Sequence, residues 1–355
     1  MNSETIPKPG RRATISTVAA DAGVSVAAVS KVLRGDAYGV SEALRSKVMA
    51  SIERLDYRPS AAARGMRGRT FRVGVLLINI TNPFLPEVID GVMETLKPAG
   101  YHAMIGIGQS RTEIETSLIE SMIDSRMDGL ILVSPHLMSA QLQHFARQTP
   151  LVVMNQHEPD ATDFDTVNSD DQLGAAIAVR SLVERGHTRI GLMLPDEGAL
   201  QPPDSPLFLH SVMHQRSLGY RRAMQEAGLA DNIRIAMIPH RVPGGEASAA
   251  RDARIRQILS APDRPSAFFC WSDLVGVHVV NIARSVGLSM PDDLAVIGFD
   301  NSSVAALPFV DLASIDPEGR RLGAMAADAL LGRINGRRGA EHLKVEPHLV
   351  VRSSI

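Results

Sequence analysis

The chain has 355 residues, 45% of them hydrophobic and 21% charged, enough for a small domain followed by a body with a true core. The net charge of −2 hides an asymmetry: residues 1–70 hold 12 Lys and Arg against 6 Asp and Glu, and the remainder holds 25 against 33. A basic head thus precedes an acidic body, the lone Cys270 excludes an intrachain disulfide, and no apolar run is long enough to span a bilayer.

Residues 1–13, with two prolines and Gly10, predict a disordered arm, and the absence of an apolar segment after its basic residues predicts a cytoplasmic protein. Next comes TISTVAADAGVSVAAVSKVLR, residues 14–34, which reads as two short helices joined at Gly23. Thr14 caps the first, with Val18 and Ala22 on one face. Ser25 caps the second, with Val29, Val32 and Leu33 inward and Val26, Ala27, Ser30 and Lys31 outward. By itself this is either a helix-turn-helix or an ordinary helical hairpin. A third helix follows within residues 40–55, capped by Ser41, with Leu44, Val48, Ile52 and Leu55 at helical spacing. The stretch YRPSAAARGM, residues 57–66, is then too short for a helix that is stable alone.

From Arg72 onward, short apolar runs alternate with helical patterns. Strands are expected at Val73–Ile78, Ala103–Ile107, Leu130–Val133, Leu151–Met154, Ile190–Leu194, Ile233–Ile238, Ala267–Cys270 and Leu294–Phe299. Helices are expected at Pro86–Ala99, Gln172–Glu184, Arg216–Ala227, Ala247–Leu259 and Leu274–Val286. Such alternation predicts parallel, doubly wound sheets, too many units for one sheet of ordinary size, and a ligand cleft at the carboxyl ends of the strands.

The head, with VSVAAVSKVL, a third helix and YRPSAAARGM in that order, resembles the lactose repressor/galactose repressor (LacI/GalR) family. Further landmarks extend the resemblance to nearly the whole chain: Asn82-Pro83-Phe84, Asp128-Gly129-Leu130-Ile131, Arg185-Gly186-His187, Leu218-Gly219-Tyr220, Val296 to Asp300, and Asp316-Pro317-Glu318-Gly319 leading a helix to Leu331. The resemblance implies an all-α helix-turn-helix head at 14–58 and a hinge at 59–70. An α/β body at 71–355 would follow, built from two doubly wound parallel-sheet subdomains like those of periplasmic sugar-binding proteins. Subdomain one would take about 71–167 and 316–345, and subdomain two about 168–315 and 346–355. The implied function is an effector-controlled transcriptional regulator, a repressor, acting as a homodimer on palindromic double-stranded operator DNA. The chain shows no heptad tail after Leu349-Val350-Val351, which favours a dimer.

The same resemblance assigns DNA contacts to Thr14, Ser25, Val26, Ala27, Ser30 and Lys31 in the head and to Ser60, Ala63, Arg64 and Met66 in the hinge. Val26, Ala27 and Lys31 take the base-reading positions, and Met66 stands where the family places a leucine wedge. Gly65 departs from a helical hinge and should cost roughly 0.5–1 kcal/mol relative to alanine. For a sugar or sugar-acid effector, Phe84, Leu85, Asn155, Arg216, Trp271, Ser272, Asp273, Asp300 and Asn301 are expected at the cleft. Arg216 offers a fork of donors, Asp300 accepts from hydroxyls or caps a loop, and Trp271 either stacks on a sugar ring or serves as a core aromatic. Pro317 stands where some members present a polar contact.

No catalytic residue, cofactor motif or metal site is expected. His210 and His214 have i, i+4 spacing but lack a third ligand, and Gly106-Ile107-Gly108 lacks the rest of a dinucleotide fingerprint. A solute-binding protein would share the body but require an export signal, and a sugar-processing enzyme would require a nucleophile, an acid/base pair or a metal.

Overall fold

The computed structural model describes residues 13–34, 40–57, 68–196, 206–239 and 247–355, and the chain divides into two units at Thr70. In the first unit, α1 (Ile15–Ala22), α2 (Val26–Arg34) and α3 (Glu42–Arg54) start at the caps read from the sequence. Thr14 Oγ1 accepts the Thr17 N–H at 3.2 Å and Thr17 Oγ1 accepts the Thr14 N–H at 3.3 Å, a reciprocal cap. Gly23, at φ 63, lets the Val24 N–H turn back to the Ala19 carbonyl at 2.9 Å. Ser25 and Ser41 accept from the Ala28 and Leu44 N–H groups.

Val18, Ala22, Val29, Val32 and Val48 are buried, whereas Leu33, Leu44, Ile52 and Leu55 are only partly covered, because three short helices enclose little volume. Tyr57 closes this core and donates its backbone N–H to the Ile52 carbonyl at 2.9 Å. The arm residues 1–12 and the hinge positions Ser60, Ala63, Arg64, Gly65 and Met66 lie outside the described residues.

The second unit carries two six-stranded sheets among its described residues. The first holds β1 (Arg72–Leu77), β2 (His102–Ile107), β3 (Gly129–Val133), β4 (Leu151–Met154), β5 (Asp165–Ser169) and β11 (His342–Val345), in the order β11-β5-β4-β3-β1-β2 and all parallel. The second holds β6 (Ile190–Asp196), β7 (Arg234–Pro239), β8 (Ala267–Cys270), β9 (Ala295–Phe299), β10 (Ala313–Asp316) and β12 (His348–Val350), in the order β12-β10-β9-β8-β6-β7. Here β12 runs antiparallel to β10, a departure from the all-parallel expectation.

Helices α4 (Phe84–Leu96), α5 (Thr112–Asp124) and α6 (Ser139–Ala146) belong to the first half. Then come α7 (Asp171–Glu184), the short α8 (Pro206–Leu209), α9 (Val212–Glu226), α10 (Ala247–Leu259) and α11 (Asp273–Ser285), and finally α12 (Gly319–Ile334). α12 packs on α4 and on β3, β4 and β5.

Strand β5 has the sequence DTVNS yet is buried throughout, because Asp165 is paired with Arg333 and Arg337 from the far end of the chain. Apolar patterning therefore could not find it. The chain leaves the first sheet after Ser169, returns after Asp316 and leaves again after Val345, so a crossing at 167/168 would fall inside β5. The crossings are tied together, with the Asp170 N–H donating to the Val345 carbonyl at 2.9 Å.

Helices α4 and α12 meet backbone to backbone. A Cβ at Gly91 would stand 1.9 Å from the Arg320 carbonyl oxygen, and one at Gly323 would stand 2.0 Å from that of Val88. Neither obstacle is a side chain that can swing away. Gly91→Ala should therefore destabilise the body by about 1–3 kcal/mol or more through overpacking, seen as a lower urea midpoint. An unchanged midpoint would mean that the two helices separate at little cost.

Candidate functional site

Two surfaces carry candidate chemistry. On the head, α2 presents Val26, Ala27 and Lys31 to solvent, with Ser30 half-buried beside them. Thr14 and Ser25 sit at the helix N-termini, their hydroxyls engaged in the caps already described. Two small apolar side chains and one long cation on an exposed helix end can approach base edges closely, with methyl contacts from the former and hydrogen bonds from the latter.

On the body, a cavity of about 1390 Å³ including its mouth opens where the carboxyl ends of both sheets face one another. Its lining includes Asn79 after β1, Ser134 and His136 after β3, Asn155 and Gln156 after β4, Ser169 at the end of β5, Trp271 and Ser272 after β8, and Asp300 after β9. The N-terminal turns of α4 and α9 add Phe84, Leu85, Met213 and Arg216, and Pro317 closes one side. Strand-end backbones are forced into the left-handed region at Ser134 (φ 54), Asn155 (φ 56) and Asp300 (φ 109). For non-glycine residues this conformation costs free energy, and it clusters where a fold holds side chains against a ligand.

Arg216 is 6% exposed and is not a free fork. Its Nε donates to Asp171 Oδ1 at 2.8 Å, its Nη1 donates to the Trp271 carbonyl, and its guanidinium lies 3.5 Å from the Phe299 ring centroid. Asp171 in turn bonds His157 Nε2 at 2.8 Å. Burial works against the Asp171 charge, but the Arg216 guanidinium and the His157 ring outweigh it and hold the carboxyl below its ordinary value. The positive charge at this wall is thus largely met by protein.

Asp300 Oδ2 accepts from the Asn82 amide at 3.0 Å, and the Asn82 carbonyl oxygen accepts the Phe84 N–H at 3.0 Å, which fixes the amide's orientation. Burial above all, reinforced by the Asp273 and Asp171 carboxylates and opposed by Arg216 and Asn82, pushes Asp300 up to about 8.

Two expected contacts do not line the cavity. Asp273 is an internal brace: its Oδ2 accepts from the Ser302 N–H at 2.6 Å and the Ser302 hydroxyl at 2.9 Å, and its Oδ1 from the Ser314 hydroxyl at 2.6 Å. Asn301 is turned toward Asp316 and Arg352, with bonds of 2.8 and 2.6 Å. Both neighbour true lining residues in sequence, and only the strand-end twist separates them. Asn82, His136, Gln156, Ser169, Arg251 and His278 also line the cavity, beyond the expected residues. Of these, only Asn82 belongs to one of the sequence landmarks, Asn82-Pro83-Phe84. His210 pairs with Glu158 at 2.8 Å, and no cluster of three metal-ligating side chains occurs among the described residues.

The fold and cleft together define a class: a helix-turn-helix reader joined to a periplasmic-binding-protein-like small-molecule sensor. Comparison with known proteins agrees. The family model for bacterial regulatory proteins, lacI family, matches residues 14–60, and that for a periplasmic binding protein-like domain matches residues 179–355. The chain is 33% identical to the ribose operon repressor of Escherichia coli, over 96% of this chain and 99% of that protein. It is 30% identical to the HTH-type transcriptional repressor PurR of Photobacterium profundum, over 97% and 98%. Among solved structures, a transcriptional regulator CelR–cellobiose complex is 27% identical with a TM-score of 0.67, covering 97% of this chain and 100% of that one. The lac repressor dimer bound to operator and the anti-inducer ONPF has the same fold, at a TM-score of 0.78 and 20% identity over 97% and 99%. The chain belongs to the lacI family of DNA-binding transcriptional regulators.

The state of Asp300 has a measurable consequence. Folding raises its carboxyl from 3.8 to about 8, so between those values the folded chain keeps a proton that the unfolded chain has released. Stability contributed by this group therefore falls as pH rises from about 4 to about 8. Asp300→Asn should raise the thermal midpoint over wild type, and by more at about pH 8 than at about pH 5. A difference that does not vary with pH would contradict the assignment.

Proposed function

We propose that this protein is a repressor that binds palindromic operator DNA as a homodimer in the cytoplasm, with its grip set by a sugar or sugar acid in the cleft of the body. The observation that carries the effector reading is the cavity at the facing strand ends, where Asp300, Asn155 and Arg216 stand among apolar side chains including Phe84, Leu85 and Trp271. Polar groups that match hydroxyls beside an aromatic ring suit a polyhydroxylated ring ligand. The names of two relatives, a ribose operon repressor and a cellobiose complex, support the same class.

The mechanism follows from linkage. An effector that binds one arrangement of the two subdomains better than the other shifts the equilibrium between them, and operator affinity changes by the same coupling free energy. Release from the operator is the proposed sign, with corepression as its alternative. Operator gel shifts with a panel of sugars and sugar acids decide between these, and indifference to every compound would refute effector control.

Val26, Ala27 and Lys31 are the proposed base readers. Lys31→Ala should cost about 1–3 kcal/mol on the operator and relax base preference at one position per half-site. Equal weakening on random duplex would instead make Lys31 a phosphate contact. Affinity should also fall steeply as salt rises, because phosphate contacts release counterions.

A further inference from the structure

The cleft is not chemically uniform. Three neighbouring strands of the first sheet, β3, β4 and β5, deliver His136, Gln156 and Ser169 to the cavity. All three are more than nine-tenths buried, at 8%, 3% and 4% exposure. Among the described residues, Gln156 Oε1 and Ser169 Oγ have no hydrogen-bond partner, although each is out of reach of bulk solvent. His136 Nδ1 is equally enclosed and stands 3.6 Å from Glu115 Oε1, beyond hydrogen-bond distance. His136 Nδ1 is thus aimed behind the wall, whereas leaving Gln156 and Ser169 unpaired costs about 1–3 kcal/mol for each atom, which favours a polar occupant beside them.

Their chemistry constrains what that occupant offers. The Gln156 amide cannot be flipped, because its Nε2 donates to the Leu137 carbonyl at 3.2 Å and to Glu158 Oε1 at 2.8 Å. Its oxygen is therefore an acceptor left without a partner on a residue that lines the cavity. Behind the wall lie two buried carboxyl side chains. Glu115 Oε2 accepts the His136 N–H at 2.7 Å, and Glu158 accepts from Gln156, from the Ser139 hydroxyl at 2.8 Å, and from His210 at 2.8 Å. The Thr112 hydroxyl donates to the His136 carbonyl at 2.9 Å, so the wall is held rigidly.

We propose that Gln156 and Ser169, beside His136, form a subsite for an uncharged, hydrogen-bond-donating end of the effector, a sugar hydroxyl, and that this subsite rejects a carboxylate or phosphate. A hydroxyl donates to Gln156 Oε1 and accepts from Ser169. An acidic group brings only acceptors, leaves Gln156 unpaired and faces Glu115 and Glu158. Sites built to pair a hydroxyl discriminate strongly against ligands that cannot supply it. On the opposite wall Arg216 is already neutralised by Asp171 and Arg251 stands 3.8 Å from Asp252, so neither restores a preference for anions. The inference rests on the effector reading above and narrows it to neutral sugars at this end.

The test uses the full-length protein and matched sets of D-ribose, D-ribonate and D-ribose 5-phosphate, of D-glucose, D-gluconate and D-glucose 6-phosphate, and of cellobiose and cellobionate. Isothermal titration should show the neutral member of the binding set favoured by about tenfold or more. Ser169→Ala and Gln156→Leu should each weaken the neutral sugar by about tenfold while changing the acid little, so that the preference collapses. Ser169→Ala touches no other protein hydrogen bond of the side chain among the described residues, so its unliganded melting temperature should match wild type. An acid or phosphate that binds as well as the neutral sugar, or a preference that survives both substitutions, would overturn the subsite while leaving effector control intact. If no compound binds and operator affinity ignores them all, the sugar reading itself fails and the subsite falls with it.

Discussion

The body depends on the buried pairing of Arg216 with Asp171. Each group alone would carry an uncompensated, almost wholly buried charge, at a cost of several kcal/mol. Together with His157, the Trp271 carbonyl and the Phe299 ring, they form one arrangement that draws on both halves of the body. His157 follows β4 of the first sheet, while Asp171 opens α7 and Arg216 lies in α9, which pack on each other. The cleft floor is thus electrostatically closed before any ligand arrives. The rest of the lining consists of Asp300, Arg251, His278, the amides and hydroxyls of the first-sheet wall, and the apolar side chains between them.

The cavity sits at this place for a topological reason. In each sheet an early strand has neighbours reached in opposite directions, β1 between β3 and β2, and β6 between β8 and β7. Loops leaving such strands diverge and open a crevice at their carboxyl ends. Two such crevices face each other here, and the chain passes between the halves at three points. The halves are therefore separate sheets joined by three crossings that lie side by side. The glycine contact of α4 with α12 lets the two backbones meet in the first half, and a similar close approach of Gly219 to the Gln172 backbone joins α9 to α7 in the second.

Local codes carried much of this into the sequence. The caps at Thr14, Ser25 and Ser41, the turn at Gly23 and the apolar runs of β1, β3, β4, β6, β8 and β9 are each decided by a few adjacent residues, and the helices and strands appear there within a few positions. β5, β10 and β11 escaped: the burial of Asp165 depends on Arg333 and Arg337, more than 160 positions away, and β11, exposed at His342 and Lys344, is a strand only through its pairing with the equally distant β5. The effector candidates divide on the same line. Phe84, Leu85, Asn155, Arg216, Trp271, Ser272 and Asp300 do line the cavity. Asp273 and Asn301, one residue removed from lining positions, are turned inward to Ser302, Ser314, Asp316 and Arg352.

By itself, then, the sequence determined most of the elements, their alternation, the basic head and the family, because short-range periodicity, capping and motif order are written in neighbouring residues. Only the tertiary structure decided which polar atoms are satisfied. Whether Arg216 is a free cation or Gln156 an open acceptor depends on groups brought together from distant strands, and no local pattern encodes that pairing.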